Sequence, residues 1–399
     1  MDCNRKDIKL FVCVIMLIMT MGHPVRAQYI RINDAKAKSA LYVDLDRLFN
    51  FNLYEHARFG AGFYLATPAN DPKSPQWQIS AYAGYGTFDK GWKYGGSVAL
   101  QSVGTHRWRP YVSYYDDLAQ MSSIRLEGYS LLSTFANTSY VASHFARVRC
   151  AEVGTSAKFN KINVAASVRY VTEWLLYDAY GDLLYPNLYE EQMPRENDYT
   201  EANVRLTRGE WTLDLRAGSQ DGYWDEWYGR AILQYNKSIG IGKKGILSLF
   251  GQSGYSTTLT PYQHLFDLSG TFGSCYYFNN TLLTLAPNTF VTDLYSRSCV
   301  SFKLDHPLWN TPLSHPSPFV QLGGAVGRDI RHNSRTLCVM EPAIGVEGLL
   351  RWGYLDLGVA AAYRFSNNEG AFPYPANAPS QNYPFAIMAV AKLVLDKYL

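Results

Sequence analysis

Apolar and polar positions alternate along most of this chain, and a period of two marks a strand with two unlike faces. From 354 to 365, Leu355, Leu357, Val359, Ala361, Tyr363 and Phe365 share one side. Tyr354, Asp356, Gly358, Ala360, Ala362 and Arg364 share the other. The same rhythm sets Phe59, Ala61, Phe63 and Leu65 against Arg58, Gly60, Gly62 and Tyr64. It also sets Val164, Ala166, Val168, Tyr170 and Trp174 against Asn163, Ser167, Arg169 and Glu173.

The pattern predicts about sixteen strands: 41–53, 57–66, 76–85, 92–103, 107–115, 143–159, 161–174, 199–208, 210–219, 226–236, 245–257, 289–304, 317–327, 342–350, 353–365 and 384–396. The count falls to fourteen or twelve if end segments are loops. Tight links at 160–161, 208–210 and 351–353 alternate with long ones at 116–142, 175–198, 258–288, 328–341 and 366–383. Short periplasmic turns and long outer loops give an outer-membrane barrel this parity. The link 305–316 is the exception, a long one on the short-turn side.

Composition sharpens the choice between a barrel and a soluble sandwich. Aromatics make up 15% of the chain, with 31 Tyr, while charged residues are 18% against the quarter expected of a soluble domain. Tyrosine in excess suits a boundary between apolar and wet surroundings. The polar faces are rich in Gly, Ser, Gln and Tyr, as a barrel lumen is, whereas a sandwich carries charge on its outer side. The expected fold is all-β, a transmembrane antiparallel up-and-down β-barrel.

The N-terminus supplies the route. Arg5, Lys6 and Lys9 precede an apolar run from Leu10 to Met21, and Val25-Arg26-Ala27 offers small residues for cleavage, so residues 1–27 read as a signal peptide. Residues 28–40 then read as a short periplasmic segment and 41–399 as the barrel. Removing residues 1–27 leaves a net charge of +1. That gives no field to draw nucleic acid. Cys150, Cys275, Cys299 and Cys338 lie far apart, without zinc-ligand or disulfide-framework spacing. No metal and no cofactor is expected.

Candidate functional residues are the charges on polar strand faces: Arg58, Arg169, Glu173, Asp214, Arg216, Asp356 and Arg364, with Arg297 and Lys303 beside them. Inside a barrel such groups either pair and lock the interior or line water and tune a channel. The acids of 221–226 and Glu190-Glu191 read as a solvated rim.

The stretch Tyr82 to Gly96, Y-A-G-Y-G-T-F-D-K-G-W-K-Y-G-G, stands apart, with Glu55 and Arg58 before it and Tyr115, Asp117 and Gln120 after it. Its Tyr85, Gly86, Asp89, Lys90, Trp92, Lys93, Tyr94 and Gly95, with Asp117 and the later Asp293 of P-N-T-F-V-T-D, resemble a family of Bacteroidota outer-membrane barrels of unknown function. Members often follow a carboxypeptidase-regulatory-like domain. More remotely the pattern is similar to the sixteen-stranded surface-antigen barrels that include BamA and TamA. With 28–40 read as the only segment ahead of the barrel, no periplasmic domain is expected here, and the lid-loop R-G-F/Y pattern is only suggested by Arg125 to Tyr129. The residues themselves read as a well-made hairpin, with Asp89 and Lys90 at an exposed tip and Trp92 and Tyr94 in an interfacial girdle.

Catalytic readings are weaker. Gly240 to Gly245 matches G-x-G-x-x-G, but a strand pattern follows instead of a helix, so it reads as a turn. Ser143-His144 would point to opposite faces of a strand, and Ser314-His315 sits in a Pro-rich turn with no acid nearby in sequence. The expectation is a non-enzymatic barrel of channel or transport class. The alternatives are a surface-antigen-like assembly or export factor and a structural or adhesive barrel. Its surroundings would be outer-membrane lipid and lipopolysaccharide, its insertion would need the barrel-assembly machinery, and a separate periplasmic partner would fit the second reading.

Overall fold

A computed structural model of the chain describes residues 29–32, 39–44, 47–52, 55–67, 76–101, 107–120, 145–175, 196–220, 227–242, 244–261, 264–268, 282, 284–285, 290–329, 335–352, 355–367 and 384–393. The predicted signal peptide, Ser143-His144, Cys275 and the 221–226 acids lie outside the described residues. The elements are β1 (Tyr29–Arg31), β2 (Ala40–Asp44), β3 (Phe49–Asn52), β4 (His56–Ala66), β5 (Gln76–Gly86), β6 (Trp92–Gln101) and β7 (Arg109–Gln120). They continue with β8 (Phe145–Phe159), β9 (Ile162–Leu175), β10 (Glu196–Arg208), β11 (Trp211–Gln220), β12 (Trp227–Ile241) and β13 (Gly245–Ser256). The last are β14 (Phe266–Asp267), β15 (Val291–Leu304), β16 (Ser317–Asp329), β17 (Arg335–Trp352), β18 (Leu355–Tyr363), β19 (Phe365–Ser366) and β20 (Phe385–Leu393).

Every ladder is antiparallel, and chain neighbours pair in an up-and-down meander. β2 and β3 both pair with β4, and β19 continues β18 along β17, so each couple is one interrupted strand. The described residues then hold sixteen transverse strands, with short β1 on β2 and short β14 on β15. Among them, no ladder joins β20 to β1–β4, so the sheet has two free edges there.

Three local expectations change. The 28–40 segment contains β1, paired through Tyr29↔Asp44. The predicted strand 41–53 is interrupted at Arg47 and Leu48, where Arg47 lies against Gly60 and Gly62 of β4. The predicted loop 328–341 shrinks to 330–334, because alternation continues through Leu337 and Val339, which are buried in an apolar cluster with Phe266 and Tyr295.

One face of the sheet is apolar and bare. Phe63, Trp77, Val112, Val168, Ile344 and Ile387 are all exposed on it. The opposite face is filled by tyrosines and phenylalanines laid over cross-strand glycines: Tyr82 over Gly95, Tyr111 over Gly154, Tyr228 over Gly218 and Phe319 over Gly345. A Cβ on Gly154 would stand 2.5 Å from Tyr111 Cζ. Gly154→Val is therefore expected to abolish the compact, heat-modifiable form on gels. Tyr111→Ala in the same chain should restore part of it, and a fully compact single variant would refute the fit.

Connections at one end are short: 160–161, 209–210 and 242–244, each with a left-handed residue at Asn160, Gly209 or Gly242. The matching G-x-G-x-x-G run is this last turn. Longer connections gather at the opposite end, the long-loop end, and include the 257–290 link between β13 and β15.

Candidate functional site

The glycine-and-tyrosine face carries the predicted charges, and they meet in three groups. The first lies at the long-loop end of β4–β7. Arg58 is bound by Glu55 at 2.8 Å and Asp117 at 2.6 Å, and buried Lys93 by Glu55 at 2.8 Å and by Asp89. Arg47, from the break in the first strand, reaches Asp117 at 3.2 Å and lies 3.6 Å over the Tyr82 ring, whose hydroxyl also donates to Asp117. Gly86 leaves room for Asp89 and Glu55.

This places the residues of the recognisable stretch. Asp89 turns inward onto Lys93 instead of standing at an exposed tip, because a buried ammonium needs a counter-charge. Lys90, at φ 51°, makes the tip. Tyr85, Trp92 and Tyr94 face outward, Tyr85 against Trp92 at 5.3 Å. Gly95 lies beneath Tyr82. The later Asp293 is ion-paired with Arg328 across β15 and β16.

The second group spans β9–β12. Glu201 is buried, accepts from Arg169 Nε at 2.5 Å and from the Tyr228 hydroxyl at 2.6 Å, and has Arg216 at 3.8 Å. Glu173 accepts from the Tyr199 hydroxyl at 2.9 Å. His264, from the 257–290 connection, inserts between these carboxylates. Its Nε2 is 3.3 Å from Glu173 and its Nδ1 3.7 Å from Glu201, with its ring against Tyr199 at 5.0 Å and Tyr228 at 5.9 Å.

The same connection touches the far side of the sheet. Thr284 donates its backbone N–H at 2.8 Å, and its hydroxyl, to buried Glu341 on β17. Arg364, at the end of β18, donates to the Thr284 carbonyl at 3.0 Å. Phe266, Leu268, Leu282, Leu285 and Phe290 join Ile232, Tyr295, Ala325, Leu337 and Val339 in one buried cluster. Described residues of this connection thus contact both β9–β10 and β17–β18 at the long-loop end.

The third group is at the short-turn end. Asp356 is held by Arg351 at 2.7 Å and His315 at 2.6 Å. Ser314-His315 therefore does have an acid partner in space. However, His315 Nε2 is also 2.7 Å from Arg351, and Ser314 Oγ accepts from the Trp309 indole, so the serine and imidazole are engaged elsewhere. Asp214 pairs with Arg205 at 2.7 Å.

Pairing is thus extensive, with Glu201 for Arg169, Arg205 for Asp214 and Arg351 for Asp356. Glu201 was legible, since it shares the inward register of Asn203 and Arg205 on β10. His264 and Thr284 lie in a connection without periodicity, and nothing in the sequence marks them. Among the described residues no group of His, Cys, Asp and Glu is placed to hold a metal ion, and Cys150 and Cys338 form no disulfide.

No family model matches the chain, and no curated protein does. Solved structures similar to it are outer-membrane barrels. CdiB from Escherichia coli is 11% identical, with TM-score 0.44 over 90% of this chain and 64% of that one; the chain thus spans less than two thirds of it. BamA from Haemophilus ducreyi lacking POTRA domains 1–3 is 9% identical, with TM-score 0.49 over 91% and 74%. A bacterial polysaccharide outer membrane secretin is 9% identical, with TM-score 0.34 over 83% and 92%.

Proposed function

We propose that the chain is a non-enzymatic outer-membrane β-barrel of the transport class, closed at rest by its own 257–290 connection. The observation that carries this reading is the double tether of that connection, through His264 to Glu173 and through Thr284 to Glu341 and Arg364. An apolar outward face, a girdle of Tyr85, Trp92 and Tyr94 and a meander of long antiparallel strands support membrane insertion. The signal-like N-terminus supports export. Carboxylate pairing of Arg58, Arg169 and Arg216 argues against a standing anion-selective pore. Passage would require the connection to leave its tethers.

Planar-bilayer recording tests this. The full chain should be electrically silent, and deleting residues 259–288 should give stable, porin-sized steps. Steady conductance of the intact chain, or silence after the deletion, would count against the plug. A second reading, envelope assembly or export, is favoured by the lack, among the described residues, of a ladder between β20 and the first strands. An engineered disulfide across those edges would block that activity while leaving conductance of the deletion variant intact.

A further inference from the structure

The short-turn end has a repeated surface chemistry that the interior charges do not explain. The described residues of four of its connections pair exposed cations with exposed aromatic or aliphatic side chains. Arg107 and Arg109 flank Trp108, and Lys158 and Lys161 flank Phe159 beside Ile162. Arg208 stands at the turn before Trp211, and Lys244 lies between Ile241 and Ile246. The rings pack across neighbouring hairpins, Trp108 on Phe159 at 5.8 Å and Trp211 on Tyr235 at 4.8 Å. Exposed acids at the described turns of this end are Glu210, which is bound by Lys237 at 3.1 Å, and Asp305. Lys303 and Arg351, by contrast, are engaged by Glu347 and Asp356.

We infer that this end forms a collar that binds the headgroups of an anionic phospholipid leaflet. The apolar outward face ends at these turns, so side chains here stand at the depth where hydrocarbon gives way to phosphate. Indole and phenol rings settle at that boundary, and lysine and arginine extend past it to the charged layer. Six exposed cations from four hairpins spread along the rim match a surface of many phosphates better than a single bound molecule. Near an anionic surface each cation contributes about 1 kcal/mol, screened by salt. The inference rests on the membrane-spanning reading above and adds the leaflet chemistry and the end that meets it.

The test uses the full chain refolded in phosphatidylcholine vesicles containing spin-labelled phosphatidylglycerol or spin-labelled phosphatidylcholine, with motionally restricted lipid read by electron spin resonance. The native chain should favour phosphatidylglycerol about fivefold, on the order of the gain from one net cation per lipid, and 1 M salt should remove the preference. Lys161→Gln/Arg208→Gln/Lys244→Gln should bring the ratio toward one, and Lys161→Arg/Arg208→Lys/Lys244→Arg should keep it. Insertion without headgroup preference, or a preference that survives either 1 M salt or the glutamine variant, would overturn the collar alone. Failure to insert at all would overturn the membrane reading and the collar together. If the glutamine variant does not assemble, the salt titration of the native chain decides.

Discussion

Replacing Glu201 by alanine is expected to lower the stability of the refolded chain by about 3 kcal/mol, the low end for removing one member of a buried ion pair. The carboxylate is fully buried and engages Arg169 at 2.5 Å and Tyr228 at 2.6 Å, with Arg216 and His264 within 4 Å. Its loss strands the Arg169 guanidinium in a wall where water replaces it poorly. Glu152 stands directly across the ladder from Arg169 and offsets part of the cost. Glu201→Gln keeps an acceptor for Tyr228 but loses the charge, so it should fall between alanine and the native chain. The double variant Arg169→Ala/Glu201→Ala should cost less than the sum of the single ones, since it no longer strands Arg169 and leaves only Arg216 without its carboxylate. Urea midpoints of tryptophan fluorescence measure all five chains, Arg169→Ala included. Equal midpoints for the native chain and Glu201→Ala would mean that the pair contributes nothing.

The effect should also reach the plug, because His264 sits between Glu173 and Glu201, with its Nδ1 3.7 Å from Glu201. Glu201→Ala opens one side of the His264 site, leaving the histidine on Glu173 and Thr284 on Glu341. The expected result in bilayers is brief openings, short of the steady conductance of the deleted connection.

Strand existence was legible because alternation is a local property: β9 and β18 are read from the residues that form them. The inward placement of Arg169, Glu173, Arg216 and Arg364 follows from the same parity. Partners were not legible, since Arg169 meets Glu201 on the next strand and period two gives the face but not the register. The interruption at Arg47 and Leu48 was hidden for a different reason: it depends on Gly60 and Gly62 of β4 leaving space for Arg47, a fit between strands. Tolerance at inward positions was also less simple than parity suggests. Asp at Gly358 or Ala360 would appear benign on a water-lined face. Yet Ala360 is packed with Phe319, Ala343 and Met388, and a Cβ at Gly358 would run into the Val346 carbonyl.

A cleaner contrast between the two faces lies in adjacent residues of β7. Val112 is 50% exposed on the outward side, level with Val98 and Val153 on the neighbouring strands. Ser113 is half-buried on the inward side, between Ser97 and Glu152. A lysine at 112 faces hydrocarbon, where it costs roughly 2–4 kcal/mol near mid-bilayer. A lysine at 113 faces the polar interior with a carboxylate directly opposite, so attraction offsets its desolvation. Val112→Lys is therefore expected to reduce the heat-modifiable folded fraction in phosphatidylcholine vesicles severely, while Ser113→Lys stays near the native value. In a soluble sheet with a solvated outer face the order would reverse, because Val112→Lys would then be a surface change of under about 0.5 kcal/mol. The sign of this one difference thus decides whether the exposed apolar face of the sheet meets lipid or water.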